Sequence, residues 1–386
     1  MEKRLFGKTG LSVSILGFGC MRLPLRDPDD PSSIDVDIAT GMVRQCIDRG
    51  VNYVDTAWPY HSKSREIPGE SEPFVAHALK DGYREKVFLA TKLPTWAVGS
   101  RKDMNAFLDA QLKRLDTPYI DCYLAHNLTT NVWPKVKDMG LLAFLDEALA
   151  DGRIKHAGFS FHDNFQVFEN IIESYDWSFA QIQYNYLDVN YQAGVRGLKL
   201  AAGKGLGVVV MEPLRGGTLI NHVPEELRAM LTEVRPGWSL ADWGLRWLWN
   251  QPEVSVVLSG MSAMDHVSEN LDIADTAAPL TDKELAALDT MRERYLALLK
   301  IDCTGCGYCL PCPAGVNIPK NFGYYNDYFL VDSEQNRQRM RFSYAGQVGP
   351  HEDHTNCVHC RECEEKCPQH LPISDAMAAM GDVFPR

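Results

Sequence analysis

The chain has 386 residues, 45% hydrophobic and 23% charged, with 39 basic against 51 acidic side chains and a formal net charge of −12. That composition suits a folded protein of one large domain plus an appendage, and it excludes extensive disorder. The acidic balance disfavours a nucleic-acid partner, since phosphate backbones attract basic surfaces. No apolar run approaches the roughly 20 residues that span a bilayer, and MEKRLFGKTGLSV at the start has no apolar signal core. The expectation is therefore a cytoplasmic protein with no membrane partner.

In chain order, eight short apolar runs read as strands: SILGFGC (14–20), NYVDTA (52–57), VFLATKL (87–93), YIDCYLAH (119–126), KHAGFSF (155–161), AQIQYN (180–185), GVVVMEP (207–213) and VSVVLSG (254–260). Between them fall helical periodicities, at 37–50 (Ile38, Met42, Cys46, Ile47), 104–115 (Phe107, Leu108, Leu112, Leu115) and 141–152, with another at 281–299. Near-continuous apolar strands alternating with helices imply a parallel sheet covered by helices. Eight such units in under 300 residues predict a (β/α)8 TIM barrel, and no G-x-G-x-x-G follows the first strand to favour an open sheet.

From Cys303 the pattern changes. Eight of the eleven cysteines lie there, with seven prolines and a polar-aromatic stretch at 321–344 that reads as helical from about 333 to 344. So few aliphatic residues predict a tail that needs clusters or a docking partner to fold. The division expected is a barrel at 1–298 and a mainly helical, ferredoxin-like iron–sulfur domain at 299–386. Cys20, Cys46 and Cys122 stand apart and read as buried small hydrophobes.

In a barrel of this kind, chemistry collects at the C-terminal strand ends. Those ends carry Asp55, Lys92 and His126, with Tyr60 just beyond Asp55. A lysine ammonium beside a tyrosine would lower the phenol pKa and make it a proton donor near neutral pH. An aspartate could hold that lysine, and a histidine could hydrogen-bond a carbonyl oxygen.

DTAWPY (55–60), GESE (69–72), ATKLP (90–94), RLDTPYIDCYLAHNL (114–128), GRIKHAGFS (152–160), QIQYNYLD (181–188) and ENL (269–271) follow in an order that resembles the aldo-keto reductase superfamily over residues 4–295. The resemblance implies a catalytic tetrad of Asp55, Tyr60, Lys92 and His126, with Tyr60 as general acid. It implies a nicotinamide nucleotide, NAD(P)H, across the barrel mouth, its carboxamide held by Ser160, Gln183 or Asn185, with Glu269 and Asn270 toward the adenosine. Met211, Glu212, Pro213 and Leu214, and Ser259, Gly260, Met261 and His266, fall in the corresponding nucleotide segments.

Three departures bear on this. Met211 and Glu212 stand where family members place a tyrosine that stacks on the nicotinamide. SGMSAMDHVSEN (259–270) offers only His266, with Asp265 beside it, for a 2′-phosphate, which predicts a preference for NADH. The loop HSKSREIPGE (61–70) carries Lys63 and Arg65; an anionic substrate could meet them, but a solvated charge run is the expectation. Trp58, Trp96, Asn127 and Arg215 are further pocket-side candidates, consistent with an aromatic or acidic carbonyl substrate.

The tail cysteines form two runs, Cys303-x2-Cys306-x2-Cys309-x2-Cys312-Pro313 and Cys357-x2-Cys360-x2-Cys363-x3-Cys367-Pro368. The second has bacterial ferredoxin spacing, in which three thiolates hold one [4Fe–4S] cluster and the fourth crosses to another. That assigns Cys303, Cys306, Cys309 and Cys367 to one cluster, and Cys357, Cys360, Cys363 and Cys312 to the second. The shorter last spacing of the first run leaves a single cluster open, and all-thiolate zinc is the alternative chemistry. Exposed clusters are oxygen-sensitive, so a reduced, anaerobic cytoplasm is expected, and barrel and tail together resemble a prokaryotic branch of the same superfamily with a ferredoxin-like C-terminus. Tyr324, Tyr325, Tyr328 and Phe329 are expected to pack the tail to the barrel.

The functional expectation is hydride transfer between a nicotinamide and a small carbonyl compound. The alternative is an iron–sulfur electron-transfer enzyme whose barrel binds a flavin such as FMN and exchanges electrons with a ferredoxin-like partner.

Overall fold

The runs rich in Val, Ile, Leu and Phe pair side by side, because strands buried on both faces are stable only in a sheet with both faces covered. In the computed structural model, which describes residues 1–221, 223–330 and 334–385, eight strands close a parallel barrel. They are β1 (Leu16–Gly19), β2 (Tyr53–Asp55), β3 (Phe88–Leu93), β4 (Ile120–Leu128), β5 (Ile154–Phe161), β6 (Phe179–Gln183), β7 (Gly207–Met211) and β8 (Val256–Ser259). Each pairs with the next, and β8 returns to β1 with Val257 opposite Leu16. Every expected run overlaps one of them, and the strands Ile120–Leu128, Ile154–Phe161 and Phe179–Gln183 reach one or two residues past their runs. Expected helices form as α1 (Val36–Asp48) and α3 (Arg101–Arg114), and between them α2 (Ser71–Ala78) forms where the sequence periodicity gave none.

A short antiparallel hairpin, Lys3–Leu5 with Ser12–Ser14, precedes the barrel. It places Phe6 among Tyr53, Cys122, Phe179 and Val209, all buried. Gly207 makes this possible, since a Cβ there would stand 2.4 Å from the Phe6 ring. Arg4 ties the hairpin to the approach to β8, donating to the carbonyls of Trp249, Gln251 and Val254. Cys20, Cys46 and Cys122 are buried and free, and burial pushes each thiol up, as small core residues would be.

The chain divides into two compact units. One comprises Met1–Tyr184, Asp188–Pro213 and Leu245–Pro279, and contains the whole barrel sheet. The other comprises Asn185–Leu187, Leu214–Gly244 and the chain from Leu280 onward. In the second unit the helix Asp282–Leu298, opened by a Thr281/Glu284 capping box, packs on the helix Glu225–Val234. Arg294 pairs with Glu226 and Arg235 with Glu284 across that contact.

Beyond it the helices Ile318–Leu330 and Glu334–Gln347 surround a core of Val316, Ile318, Phe322, Tyr344, Ile373, Met377, Met380 and Phe384. Ser333, where the second of these was expected to begin, lies outside the described residues. Tyr325 and Tyr328 belong to this core, Tyr324 packs on Tyr344 and Phe329 on Tyr328, while Tyr344 stacks on Phe384 at 4.2 Å. Aromatic surface thus supplies the core that aliphatic content did not suggest. Among the described residues no helix is long and apolar enough to cross a membrane.

Candidate functional site

Asp55 ends β2 and Lys92 lies near the end of β3, on adjacent paired strands. Lys92 Nζ donates to both Asp55 oxygens, at 2.7 and 2.8 Å, and to the Thr56 carbonyl at 2.8 Å. It also donates to the Tyr60 hydroxyl at 3.3 Å. The Tyr60 ring stands edge-on to His126, with centroids 6.2 Å apart. All four expected residues thus meet on one rim.

Tyr60 is held there by backbone. Gly69 N donates to the Trp58 carbonyl, Glu70 N to His61 and Ser71 N to Tyr60 itself. A Cβ on Gly69 would lie 1.9 Å from the Tyr60 carbonyl oxygen, so only glycine fits this close approach. The GESE motif also supports the lysine strand. Glu72 is buried, pairs with Arg114 at 2.9 Å, and accepts from Thr91, next to Lys92 on its strand, and from Gln111. Gln111 in turn donates to the Lys92 carbonyl.

Burial sets the protonation of the site. It raises the Asp55 carboxyl and lowers the Lys92 ammonium, and each shift is opposed by the partner's charge. Burial, then the Asp55 carboxylate, holds the Tyr60 phenol well above its ordinary value, with Arg22 opposing. The expectation of a lowered phenol pKa is therefore corrected: Tyr60 carries its proton at neutral pH. His126 is held well below the ordinary histidine value by burial first, then by Lys92, Arg65 and His162, so its ring is neutral. Its Nδ1 is buried without a hydrogen-bond partner among the described residues.

Ser160, on β5, is buried; its Oγ accepts from Asn127 N at 2.8 Å, which leaves its own O–H to donate. Gln183 uses both ends of its amide, donating to Asp188 and accepting from Gln192. Asn185 accepts from Leu187 N within the second unit. The sequence did not single out Gln181, in register with Ser160 on β6. Its Oε1 is buried without a hydrogen-bond partner among the described residues, and its Nε2 lies 3.5 Å from Met211 Sδ at the end of β7. A buried amide carbonyl and a serine hydroxyl in register suit a carboxamide, so these residues fit a nicotinamide.

Glu212 follows Met211 with φ of 54°, and Pro213 closes that segment of the first unit. Its charge works upward on the Tyr60 phenol. Leu214 begins the stretch counted with the second unit, where buried Arg215 pairs with Asp302, so this arginine serves an internal ion pair. Trp58 is buried, its ring edge-on to Phe107 of α3. Asn270 donates to Ser259 at 2.8 Å, while Glu269 is exposed. Met261 is buried and His266 exposed, its Nδ1 3.4 Å from Ser262 N. Arg22, just after β1, runs its stem alongside Gly260.

In the second unit, the thiols surround two recesses. Cys303, Cys306, Cys309 and Cys367 line one. Cys312, Cys357, Cys360 and Cys363 line another. Ile318 and Ile373 border both and so form the wall between them. The division is the crossed one expected, with Cys312 placed beside the second run despite its short spacing. Burial pushes the Cys309 thiol up and that of Cys363 to about 11. Two quartets of all-sulfur donors fit [4Fe–4S] clusters. Among the described residues no three His, Cys, Asp or Glu side chains are grouped to hold a single ion.

Residues 15–293, most of the chain, match the aldo/keto reductase family. The chain belongs to the aldo/keto reductase family. Residues 302–371 match the 4Fe-4S dicluster domain, so this family member carries a ferredoxin-like tail. The reductase barrel is 27% identical over 325 residues to the uncharacterized oxidoreductase YqkF of Bacillus subtilis, covering 75% of this chain and 96% of the relative. It is 25% identical over 332 residues to L-glyceraldehyde 3-phosphate reductase of Escherichia coli O157:H7, covering 75% and 92%. The solved structure of aldo-keto reductase AKR11C1 from Bacillus halodurans, in its holo form, aligns with a TM-score of 0.62 at 26% identity, over 75% of this chain and 96% of that one.

Proposed function

We propose that this aldo/keto reductase interconverts an aldehyde or ketone and its alcohol with a nicotinamide nucleotide, Tyr60 serving as proton donor. The observation that carries the reading is the bonded series Asp55–Lys92–Tyr60 beside a neutral His126. A bound nicotinamide would supply the hydride to the carbonyl carbon. Tyr60 O–H gives its proton to the carbonyl oxygen as negative charge develops there. The Lys92 ammonium, 3.3 Å away, stabilises the phenolate that remains. Asp55 keeps that ammonium aimed, and the neutral His126 ring donates a hydrogen bond to the same oxygen. In the reverse direction the phenolate takes the alcohol proton.

Ser160 and Gln181 would hold the carboxamide, and the acidic 259–270 segment supports NADH over NADPH. Comparing KM for the two nucleotides tests that preference, and a strong preference for NADPH overturns it. The two thiol recesses support a pair of [4Fe–4S] clusters, and exposed thiols such as Cys360 suit a reducing cytoplasm. The decisive experiment is Tyr60→Phe in anaerobically purified protein. Carbonyl reduction should fall by about 10²–10⁴-fold, with iron content unchanged. Retained turnover rejects Tyr60 as the acid.

A further inference from the structure

The charged loop at 61–70 does not behave as one solvated run. Lys63 does turn outward, 3.5 Å from Asp30, and is well exposed. Arg65 turns the other way and is half-buried, its guanidinium carbon 4.4 Å from the centre of the Trp96 ring. Trp96 returns the contact by donating its indole N–H to the Arg65 carbonyl at 3.2 Å. Trp96 also packs on His126, with ring centroids 5.1 Å apart. One indole therefore touches both the arginine and the histidine that faces the reacting oxygen. Electrostatics agree with that placement: Arg65 helps to hold both His126 and His162 below their ordinary values.

We propose that Arg65, stacked on Trp96, is the specificity-determining residue that binds an acidic group on the substrate, a carboxylate or a phosphate a few bonds from the carbonyl. The proposal rests on the reduction reading above and narrows it to anionic carbonyl compounds. Guanidinium is the group for this task, because its planar fork meets two oxygens of either anion at once. Stacking fixes the plane of the fork before the substrate arrives, so little side-chain freedom remains to be lost on binding. A substrate oxygen between Tyr60 and His126 then leaves the rest of a short molecule to cross Trp96 toward the cation.

The test separates binding from turnover. Calorimetric titration of the full, anaerobically purified chain with butanoate and with glycerol 3-phosphate reads the anion site with no reducible carbonyl present. The expected result is saturable binding of at least one, weakened about ten- to hundredfold in Arg65→Met and partly restored in Arg65→Lys. Kinetically, kcat/KM for 4-oxobutanoate relative to butanal, and for glyceraldehyde 3-phosphate relative to glyceraldehyde, should fall by a similar factor in Arg65→Met. The pair with the larger wild-type ratio identifies carboxylate or phosphate as the group held. Absence of binding to the wild type, or equal binding by Arg65→Met, overturns the proposal. Because the titration needs no turnover, it stands or falls even if the Tyr60→Phe experiment rejects the reduction reading.

Discussion

Lys92 reaches both carboxylate oxygens of Asp55 in a part of the barrel where neither side chain meets solvent. Such a pair resists the loss of one member more than the loss of both, since a lone buried charge keeps its desolvation cost. Lys92→Met should destabilise the barrel by about 3–5 kcal/mol. The double variant Asp55→Leu/Lys92→Met should be less destabilised than the two single changes added together, by about 0.5–3 kcal/mol of coupling. Urea denaturation of the four proteins measures this, and strict additivity would show that the pair is not coupled.

Gly69→Ala tests the close approach that positions the proton donor. The new methyl must displace the Tyr60 carbonyl, and an error of about 1 Å at a reacting group can cost about a hundredfold in rate. We expect a fall of that order in kcat, with iron content as in the wild type. An unaffected kcat would mean that the loop at 69–71 does not set the position of Tyr60.

The barrel and its rim were legible because burial on both strand faces writes itself into sequence as apolar runs, and strand ends then number the rim: Asp55, Lys92, His126. Three features were not legible. The helix Ile318–Leu330 is stabilised by tyrosine and phenylalanine packing rather than by an aliphatic stripe, so periodicity passed over it. The Tyr60 phenol pKa depended on burial and on Asp55, which residue spacing does not reveal. The roles of Gln181 and Gln183 differ through partners at Asp188 and Gln192 that only the fold brings near.

His162 makes stability pH-dependent. Burial lowers it to about 4 in the folded chain, against an ordinary value of 6.5, with a Gln192 hydrogen bond opposing. Above pH 6.5 the ring is neutral folded or unfolded and has no effect. As pH falls from 6.5 toward 4 the unfolded chain takes up a proton that the folded chain refuses, and stability declines by up to about 3 kcal/mol. His162→Asn should flatten that part of the pH profile, measured by urea denaturation at pH 7 and pH 5. A profile as steep as the wild type's would assign the acid sensitivity to other groups.

The crossed cysteine arrangement can be counted in iron. With two four-iron clusters the chain holds about eight irons. Because Cys303 and Cys367 line one recess, the double variant Cys303→Ala/Cys367→Ala should still hold about four. If each sequence run held its own cluster, the same variant would damage both, and iron would fall toward zero. Iron and acid-labile sulfide analysis, with EPR of the reduced protein, distinguishes the two.

The pairing of helix Glu225–Val234 with helix Asp282–Leu298 has a consequence for the order of synthesis. Every barrel strand is complete at Ser259, yet Leu227 and Leu231, buried in the finished protein, have left the ribosome before the helix that packs on theirs exists. The nascent chain therefore passes through an interval in which all the strands exist while this helix still lacks its packing partner. A fragment cut before residue 280 would be held permanently in that interval, exposed to association with other chains.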